Sequence, residues 1–454
     1  GTNNGIATTP DGKFTLTVKG SSNKLSVSFI GFETQTLPLT NQAVYRISMK
    51  PDATSLKDVV VIGYQEVKRK TVTAAVSSVK GKEIENLPSP SFDQLLQGRA
   101  AGLNVQNFTG EPGVRGSFVI RGTTAISRSA DAARTLSSPL FVIDGIPISM
   151  DDAAAFDNTG TNYIAGLNPN DIESIDILKD ASAAAIYGSR GANGVVIVKT
   201  KRGKPGKPQV NFSTYAGLVQ QPEFEKVFGG AEERWFKLDY MSKYMDADRL
   251  ALNTPMLLTD SLNPAFNGAT DWQDLFYRNG VLQNYDLSVS GATDQMNYRV
   301  SGNYYNEDGT IKGTGFKRYT ISAAMGMKMS AKLSVDALFR LSRGDRSRGR
   351  GQAPGENVIP LLDGQYRSSL FNLSDVDQRN YVGDLSSGRD KNINDDITAS
   401  LSLNYDITPK LRFSAMGSLQ SSVNSRDIFR PGELNTAGLS YAQSSKSRYE
   451  NVNL

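Results

Sequence analysis

Beyond Gln209 the chain is written almost entirely in alternation. In KLSVDALFRLS the residues Leu333, Val335, Ala337, Phe339 and Leu341 are apolar and most residues between them are polar. DITASLSLNYD repeats the pattern with Ile397, Ala399, Leu401, Leu403 and Tyr405, and LRFSAMGSLQS with Leu411, Phe413, Ala415, Gly417 and Leu419. The same period recurs near residues 210–219, 284–291, 296–305, 318–329 and 439–454, so about eight strands with one apolar face each are expected. One such strand fits a soluble β-sandwich as well as it fits a membrane barrel. The connections separate the two. They run long (220–282), short (291–295), medium (306–316), short (329–332), very long (344–394), short (406–410) and medium (425–438). Strict alternation of long and short connections is the asymmetry of an outer-membrane barrel, with tight periplasmic turns and long external loops. Roughly 10 residues at ~3.4 Å each, tilted by ~40°, span about 25 Å, the height of the apolar band in such barrels. The odd positions then face lipid and the polar ones a wet lumen.

Composition removes most other classes. The 454 residues leave room for two or more domains, and 39% hydrophobic content with 42 glycines favours β over α architecture. Lys and Arg (50) nearly balance Asp and Glu (46), a net charge of +4 that is no nucleic-acid footprint. The chain has no cysteine and no histidine, so disulfides, thiol chemistry and imidazole ligands are absent. No catalytic set, metal site or cofactor is expected, and an enzyme is not expected. No apolar run reaches the length of a spanning helix, and no signal peptide opens the chain. The opening GTNNGIATTPDGKFTLTV reads as the middle of a domain.

Ahead of the alternating region the pattern is mixed. NPNDIESIDILKDASAAAIYGSRGANGVVIVKTKRG, residues 168 to 203, carries three glycines that invite a phosphate-loop reading. A phosphate site needs its glycines before a helix, where free N–H groups point. Here they follow the helix expected over Asp180 to Tyr187, so Gly188 is read as its C-cap, turning the chain into a strand over Val195 to Lys199. A helix is expected at Ser91 to Leu96, with Ser91 as N-cap and Asp93 near its positive end, and strands at Leu103 to Gln106, Ser117 to Arg121 and Leu140 to Ile143. GKPGKP, residues 203–208, reads as a linker. Residues 1–50 hold three short alternating runs, around Phe14 to Val18, Leu25 to Phe29 and Tyr45 to Met49, as in a small β-sandwich-like module. After a polar break at Pro51 to Lys57 comes an isolated β-branched run, DVVVIGY, followed by EVKRK. A lumen that holds a folded plug of roughly 120 residues needs a barrel of about 22 strands, so the alternating region is expected to be part of a larger barrel.

Three motifs in order, FVIRGTT (118–124), PLFVIDGIPI (139–148) and the segment at 168–203, resemble the plug of SusC/RagA-type TonB-dependent outer-membrane transporters of Bacteroidetes. GKFTL and LSVSFIGFETQ resemble the carboxypeptidase-regulatory-like module that precedes the plug in that family. The fold expected is therefore mainly β: a transmembrane antiparallel β-barrel with a mixed α/β plug inside and an N-terminal β-sandwich-like module. The divisions expected are 1–50 (module), 51–79 (linker), 80–207 (plug) and 208–454 (first barrel strands). The resemblance implies active import of a large nutrient, most often an oligosaccharide and sometimes a peptide, across the outer membrane of a Gram-negative bacterium, with the module in the periplasm. It also implies two partners, a SusD-like surface lipoprotein acting as lid and the TonB–ExbB–ExbD complex as energy source. A non-transporting outer-membrane scaffold or adhesin is the alternative.

Site residues follow. An exposed β-branched run offers unpaired backbone groups to an incoming strand, and Asp58, Val59, Val60, Val61 and Ile62 are the expected TonB box; the competing reading makes them the last strand of the preceding module. The resemblance implies that Arg121 locks plug to barrel by pairing with barrel carboxylates. A second arginine of the broader superfamily is replaced here by Lys179 and Asp180, which puts a two-arginine lock in doubt. Two polar loops, 123–138 and 149–167, are expected to floor the substrate cavity, with Arg128, Asp131, Asp151, Asp152, Phe156 and Tyr163 as candidate contacts. RLSRGDRSRGRG, residues 340–351, is expected to face outward toward lipopolysaccharide phosphates or the partner lipoprotein.

Overall fold

The structure is a computed structural model that describes residues 6, 8–9, 13–16, 24–28, 35–39, 44–49, 59–62, 65–68, 75–90, 92–106, 111–114, 116–122, 138–148, 164–180, 184–348, 368–372, 389–408, 411–430 and 440–453. The chain forms two compact units, Gly1–Thr73 and Ala74–Leu454.

In the first unit β1 (Lys24–Val27) pairs antiparallel with β2 (Gln35–Pro38). Of the three runs expected there, the one at Leu25 becomes a strand. Residues 13–16 and 44–49 carry no ladder, although Gln35 Nε2 donates to the Ser48 carbonyl at 3.0 Å. The β-branched run forms β3 (Val59–Ile62), which pairs with β4 (Gln65–Lys68) in a hairpin of its own.

The second unit opens with a five-stranded sheet in the order β5-β10-β11-β8-β9. Its members are β5 (Val76–Lys80), β8 (Leu140–Ile143), β9 (Ile146–Ile148), β10 (Ile172–Leu178) and β11 (Val195–Thr200). β11 lies parallel to β8 and antiparallel to β10. The three inner strands are largely buried and most of their residues are apolar, as in strands covered on both faces. The short helix α1 (Phe92–Leu95) and the hairpin of β6 (Leu103–Gln106) with β7 (Ser117–Ile120) add Phe92, Leu96, Val105 and Phe118 to that core. Phe118 and Phe141 meet edge to face with ring centroids 5.3 Å apart. Of the helix expected over Asp180 to Tyr187, residues 181–183 lie outside the described residues and Ala184 is helical, its amide donating to the Asp180 carbonyl at 3.0 Å; a 3₁₀ run over Ala185–Gly191 follows and kinks at Gly188, where φ is 61° and ψ −147°. The glycines serve packing: at Gly194, with φ of 90°, a Cβ would stand 2.7 Å from the Ile120 side chain.

The alternating region forms one eight-stranded antiparallel sheet in chain order. Its strands are β12 (Gly206–Val219), β13 (Gly280–Ala292), β14 (Met296–Asp308), β15 (Thr314–Lys328), β16 (Leu333–Arg348), β17 (Arg389–Thr408), β18 (Leu411–Arg430) and β19 (Tyr441–Asn453). The expected linker at 203–208 is partly taken up by β12. β17 and β18 each run 20 residues, well past the apolar band, because their extra length is polar and closes on itself through pairs such as Arg426 with Asp390 at 2.7 Å.

Burial along this sheet is inverted relative to a soluble protein. Phe212, Ile321, Phe339 and Leu401 are exposed, whereas Asn284, Asn303, Ser422 and Asn424 are buried. Water would not leave the first set bare, so the outer face is the lipid face of a barrel wall. Outward Tyr285, Tyr304 and Tyr319 stand opposite one another on three adjacent strands, with ring centroids 6.2 and 5.0 Å apart. The same register continues into Arg343, opposite Tyr319, and its bidentate partner Asp395 at 2.6 and 2.8 Å. This row of aromatic and charged side chains marks the upper edge of the apolar band, where interfacial aromatics sit in such barrels. No helix among the described residues is long and apolar enough to cross a membrane; the strands do so.

On the long-loop side, residues 220–279 carry α2 (Ala231–Tyr244), α3 (Ala247–Asn253), α4 (Met256–Thr259) and α5 (Trp272–Phe276). α2 buries two of its charged side chains, Glu233 and Arg234. Arg234 donates to the carbonyls of Leu257 and Leu258 at 2.8 and 3.0 Å, and Glu233 accepts from the Ser369 amide at 2.7 Å. The Lys237 ammonium and the Ser369 and Ser368 donors hold the Glu233 carboxyl below its usual range despite its burial, which acts the other way.

Candidate functional site

The site is the seam where the small sheet and its loops meet the inner face of the large one. It is built from polar groups that a barrel lumen allows and a soluble core would not. Three clusters hold it.

The first grows from NPND. Asn168 caps the 3₁₀ turn Pro169–Asp171, its side-chain oxygen accepting from the Asn170 amide at 3.2 Å, and Pro169 presets the first turn position. The turn aims two side chains at the strands. Asn168 Nδ2 donates to Asp286 Oδ2 at 2.7 Å. Asp171 pairs with Arg299 Nη2 at 2.9 Å and accepts from Ser301 Oγ at 2.8 Å.

The second grows from the Asp-Gly turn between β8 and β9. Asp144 and Gly145 have φ of 51° and 88°, the left-handed pair that a two-residue hairpin turn requires. Asp144 Oδ1 then accepts from the Thr200 amide at 2.9 Å, closing the end of β11, and Oδ2 takes Arg340 Nη2 at 3.1 Å.

The third centres on Arg318, which is 1% exposed. Its guanidinium donates to the carbonyls of Pro90 and Ala165 at 2.6 and 3.2 Å and to Asn303 Oδ1 at 3.1 Å, and lies 5.3 Å from the Tyr305 ring centre. Nearby, Thr320 Oγ1 donates to the Gly166 carbonyl at 3.2 Å. Higher on the wall Arg346 reaches the Gly113 carbonyl at 3.4 Å, and Arg348 lies 3.9 Å from Glu111. Gly113 is obligatory: φ is 74°, and a Cβ would stand 2.5 Å from the Phe316 ring. Burial pushes the Glu111 carboxyl up, with Arg346 and Arg348 opposing it.

The structure redistributes several expected roles. Arg121 is paired at 2.5 Å with Asp180, inside the small domain. Among the described residues, the buried ion pairs joining the two sheets have the opposite polarity, with carboxylates on the small domain and arginines on the strands. The arginines of 340–351 were expected to face outward, but strand periodicity splits them. Arg340, Arg346 and Arg348 point to the small domain, Arg343 points out, and Arg350 lies outside the described residues. Of the expected TonB box, Val59 to Ile62 form β3 and Asp58 lies outside the described residues. Arg128, Asp131, Asp151, Asp152, Phe156 and Tyr163 also lie outside them. Asn168, Asp171, Asp144, Arg299 and Arg318 carry the seam together with Arg340; the first five were not singled out as site residues from sequence, and Arg340 was expected to face outward. Their only local signals are the Asp-Gly turn and arginines placed on the polar face of a strand.

Residues 68–195 match the family model of the TonB-dependent receptor plug domain. The chain is 34% identical over 347 residues to the TonB-dependent receptor SusC of Bacteroides thetaiotaomicron, covering 75% of this chain and 31% of that one. The chain belongs to the SusC/RagA-type TonB-dependent receptors. It is also 32% identical over 391 residues to TonB-dependent receptor P3 of Formosa agariphila, covering 85% of this chain and 35% of the relative. It thus spans about a third of the length of the curated relatives it matches. Its fold is that of the RagAB peptide importer in the open-open state, with a TM-score of 0.64 over 87% of this chain and 46% of that one at 21% identity. In this SusC/RagA-type chain the small domain is the plug and the eight strands are barrel wall.

Proposed function

We propose that this protein performs TonB-dependent active import of a large nutrient, an oligosaccharide, across the outer membrane, with a SusD-like surface lipoprotein as lid. One observation carries the reading: a plug with its own sheet and hydrophobic core is fastened to the polar face of a lipid-facing wall by buried hydrogen bonds and ion pairs. A passage closed in that way opens only when work is done on the plug, and covalent chemistry has no part in it. The work would enter through Val59 to Ile62, a strand whose backbone edge is suited to β-augmentation by TonB. The oligosaccharide is favoured by Trp235, Tyr240 and Tyr244, exposed on α2 above the wall, since flat aromatic faces suit the apolar faces of sugar rings.

The test is growth of the native bacterium on single glycans and peptides, comparing wild type with a strain whose full-length protein lacks Asp58 to Ile62. Selective loss on one glycan supports the proposal. Loss on a peptide alone would replace the substrate class, and equal growth on every source with the protein still in the outer membrane would favour a non-transporting scaffold.

A further inference from the structure

Lys179 and Asp180 stand where a second locking arginine was sought, and the structure gives both a different task. Four segments converge at one end of the plug sheet. Asp180 Oδ2 accepts the Ala75 amide at 2.7 Å, while Oδ1 holds Arg121 Nη1 at 2.5 Å. The Lys179 amide donates to the Ala75 carbonyl at 3.3 Å, and its Nζ donates to Ser77 Oγ at 2.7 Å and to the Ala101 carbonyl at 2.9 Å. Arg121 is fixed in turn: its backbone is left-handed, with φ of 59°, and its amide donates to the Gly102 carbonyl at 3.1 Å.

All of this grips one strand. Among the described residues β5 is an edge strand, paired to β10 alone; of its side chains only Val79 is buried, and Ser78 Oγ also donates to Asp176 of β10. Its neighbour β10, and β8 further along the sheet, are anchored by several buried side chains each, and the far end of the plug sheet is fastened to the wall through Asp171 and Asp144. β5 therefore has the fewest buried side chains of any strand in the sheet, and along the chain it is the first plug element after the β3–β4 hairpin. We propose that Asp180, positioned by Arg121, is the catch that holds β5 in the resting plug, and that its release lets residues 75–80 leave β10 while the rest of the plug stays on the wall. This rests on the import reading for the direction of the pull, not for the catch itself.

The 454 residues contain no cysteine, so a reporter placed in the plug competes with no other thiol among them, and any cysteine elsewhere in the full-length protein is first replaced by serine. Val79→Cys, buried in β5, would be followed by maleimide labelling of the full-length protein in outer membranes from cells lacking TonB. Ile197→Cys, buried in β11, reports on the plug as a whole. With the catch intact both label slowly. Asp180→Ala and Arg121→Ala should each speed labelling at position 79 about tenfold or more, the scale of one charge-assisted hydrogen bond lost from a local opening equilibrium. Arg121→Lys should restore much of the protection, and position 197 should not change. Unchanged labelling at 79, or parallel gains at 79 and 197, would overturn the proposal.

A second arm separates the two readings. With TonB present, labelling at 79 should accelerate, and deletion of residues 58–62 should abolish the acceleration. If uptake depends on TonB and the box yet labelling at 79 never responds, β5 is not the release point. If neither uptake nor labelling depends on the box, the import reading fails instead.

Discussion

Asp171 of the plug and Arg299 of the barrel wall, 128 residues apart in the chain, meet at 2.9 Å with side chains only 6% and 9% exposed. At that burial, removal of one partner strands the other. Asp171→Ala should loosen plug seating by roughly 3–5 kcal/mol, whereas the double change Asp171→Ala with Arg299→Met should cost much less, because no lone charge remains. Limited proteolysis of the assembled protein in outer-membrane vesicles reads this directly. Equal susceptibility of single and double variants would show that the pair contributes only through packing.

Asp144 combines three demands in one residue: a left-handed backbone, a cap for β11 and a partner for Arg340. Asn tolerates the same backbone and keeps an acceptor for the Thr200 amide, so Asp144→Asn isolates the charge. Its expected cost is about 1–3 kcal/mol, and Asp144→Ala should cost more through added backbone strain. Denaturant unfolding of the refolded protein, followed by plug proteolysis, ranks the two. The reverse order would place the strain elsewhere.

The Ala75 amide, assisted by Arg121, holds the Asp180 carboxyl below the usual carboxylate range. A depressed folded-state value means that its contribution is fully present above the ordinary carboxylate pKa and is lost as pH falls through the depressed one. Labelling at Val79→Cys should therefore be flat with pH from neutrality down to the ordinary carboxylate range and rise only below it, once the inherent pH dependence of maleimide is divided out with an exposed control cysteine. In Asp180→Asn that acid limb should vanish. Persistence of the limb in the Asn variant would assign it to another carboxylate.

Leu401 lies on the outer face of β17, in the band between outward Asp395 and Ile407, and is 56% exposed. If that exposure is to lipid, Leu401→Arg should destabilise the folded barrel by about 2–4 kcal/mol, the cost of a cation near the bilayer midplane. The same change at Lys317, outside the tyrosine row, should be nearly neutral. Urea titration of folding into vesicles compares them, and a neutral Leu401→Arg would mean that protein, not lipid, covers this face.

These cases also show what a sequence reveals about such a chain. The eight strands were legible because period-two alternation is local and survives the inversion of inside and outside; only the connections told which face met lipid. Strand ends were not legible, since the polar extension over residues 389–396 reads as loop until Arg426 closes on Asp390. The hairpin at Asp144 could be read from its Asp-Gly pair, but not Arg340, its partner 196 residues away. The end of the Ala-rich stretch was legible in part: Ala184 is helical as propensity suggests, but the tightening to a 3₁₀ run over Ala185–Gly191 goes with close packing at Gly191 and Gly194 that no local pattern announces.

The β3–β4 hairpin offers a test of how the periplasmic partner would engage. β3 is paired through Val59 with Lys68, Val60 with Val67, Val61 with Glu66 and Ile62 with Gln65. Among the described residues β3 pairs with β4 alone, so on its other edge an incoming strand can add without first displacing β4. Val60→Pro removes one amide from β3 and disfavours an extended ladder on either edge. Replacing Glu66 and Val67 in β4 by glycines weakens the hairpin while leaving the β3 sequence whole. If TonB adds to the free edge of a preformed hairpin, both variants should lose uptake, with barrel assembly and plug protection unchanged. If TonB instead displaces β4, the glycine variant should take up substrate as well as wild type or better, because the competing strand is weakened, and only Val60→Pro should fail. Uptake measured beside a pull-down with the isolated C-terminal domain of TonB distinguishes these two routes, and undiminished uptake by Val60→Pro would remove β3 from the coupling altogether.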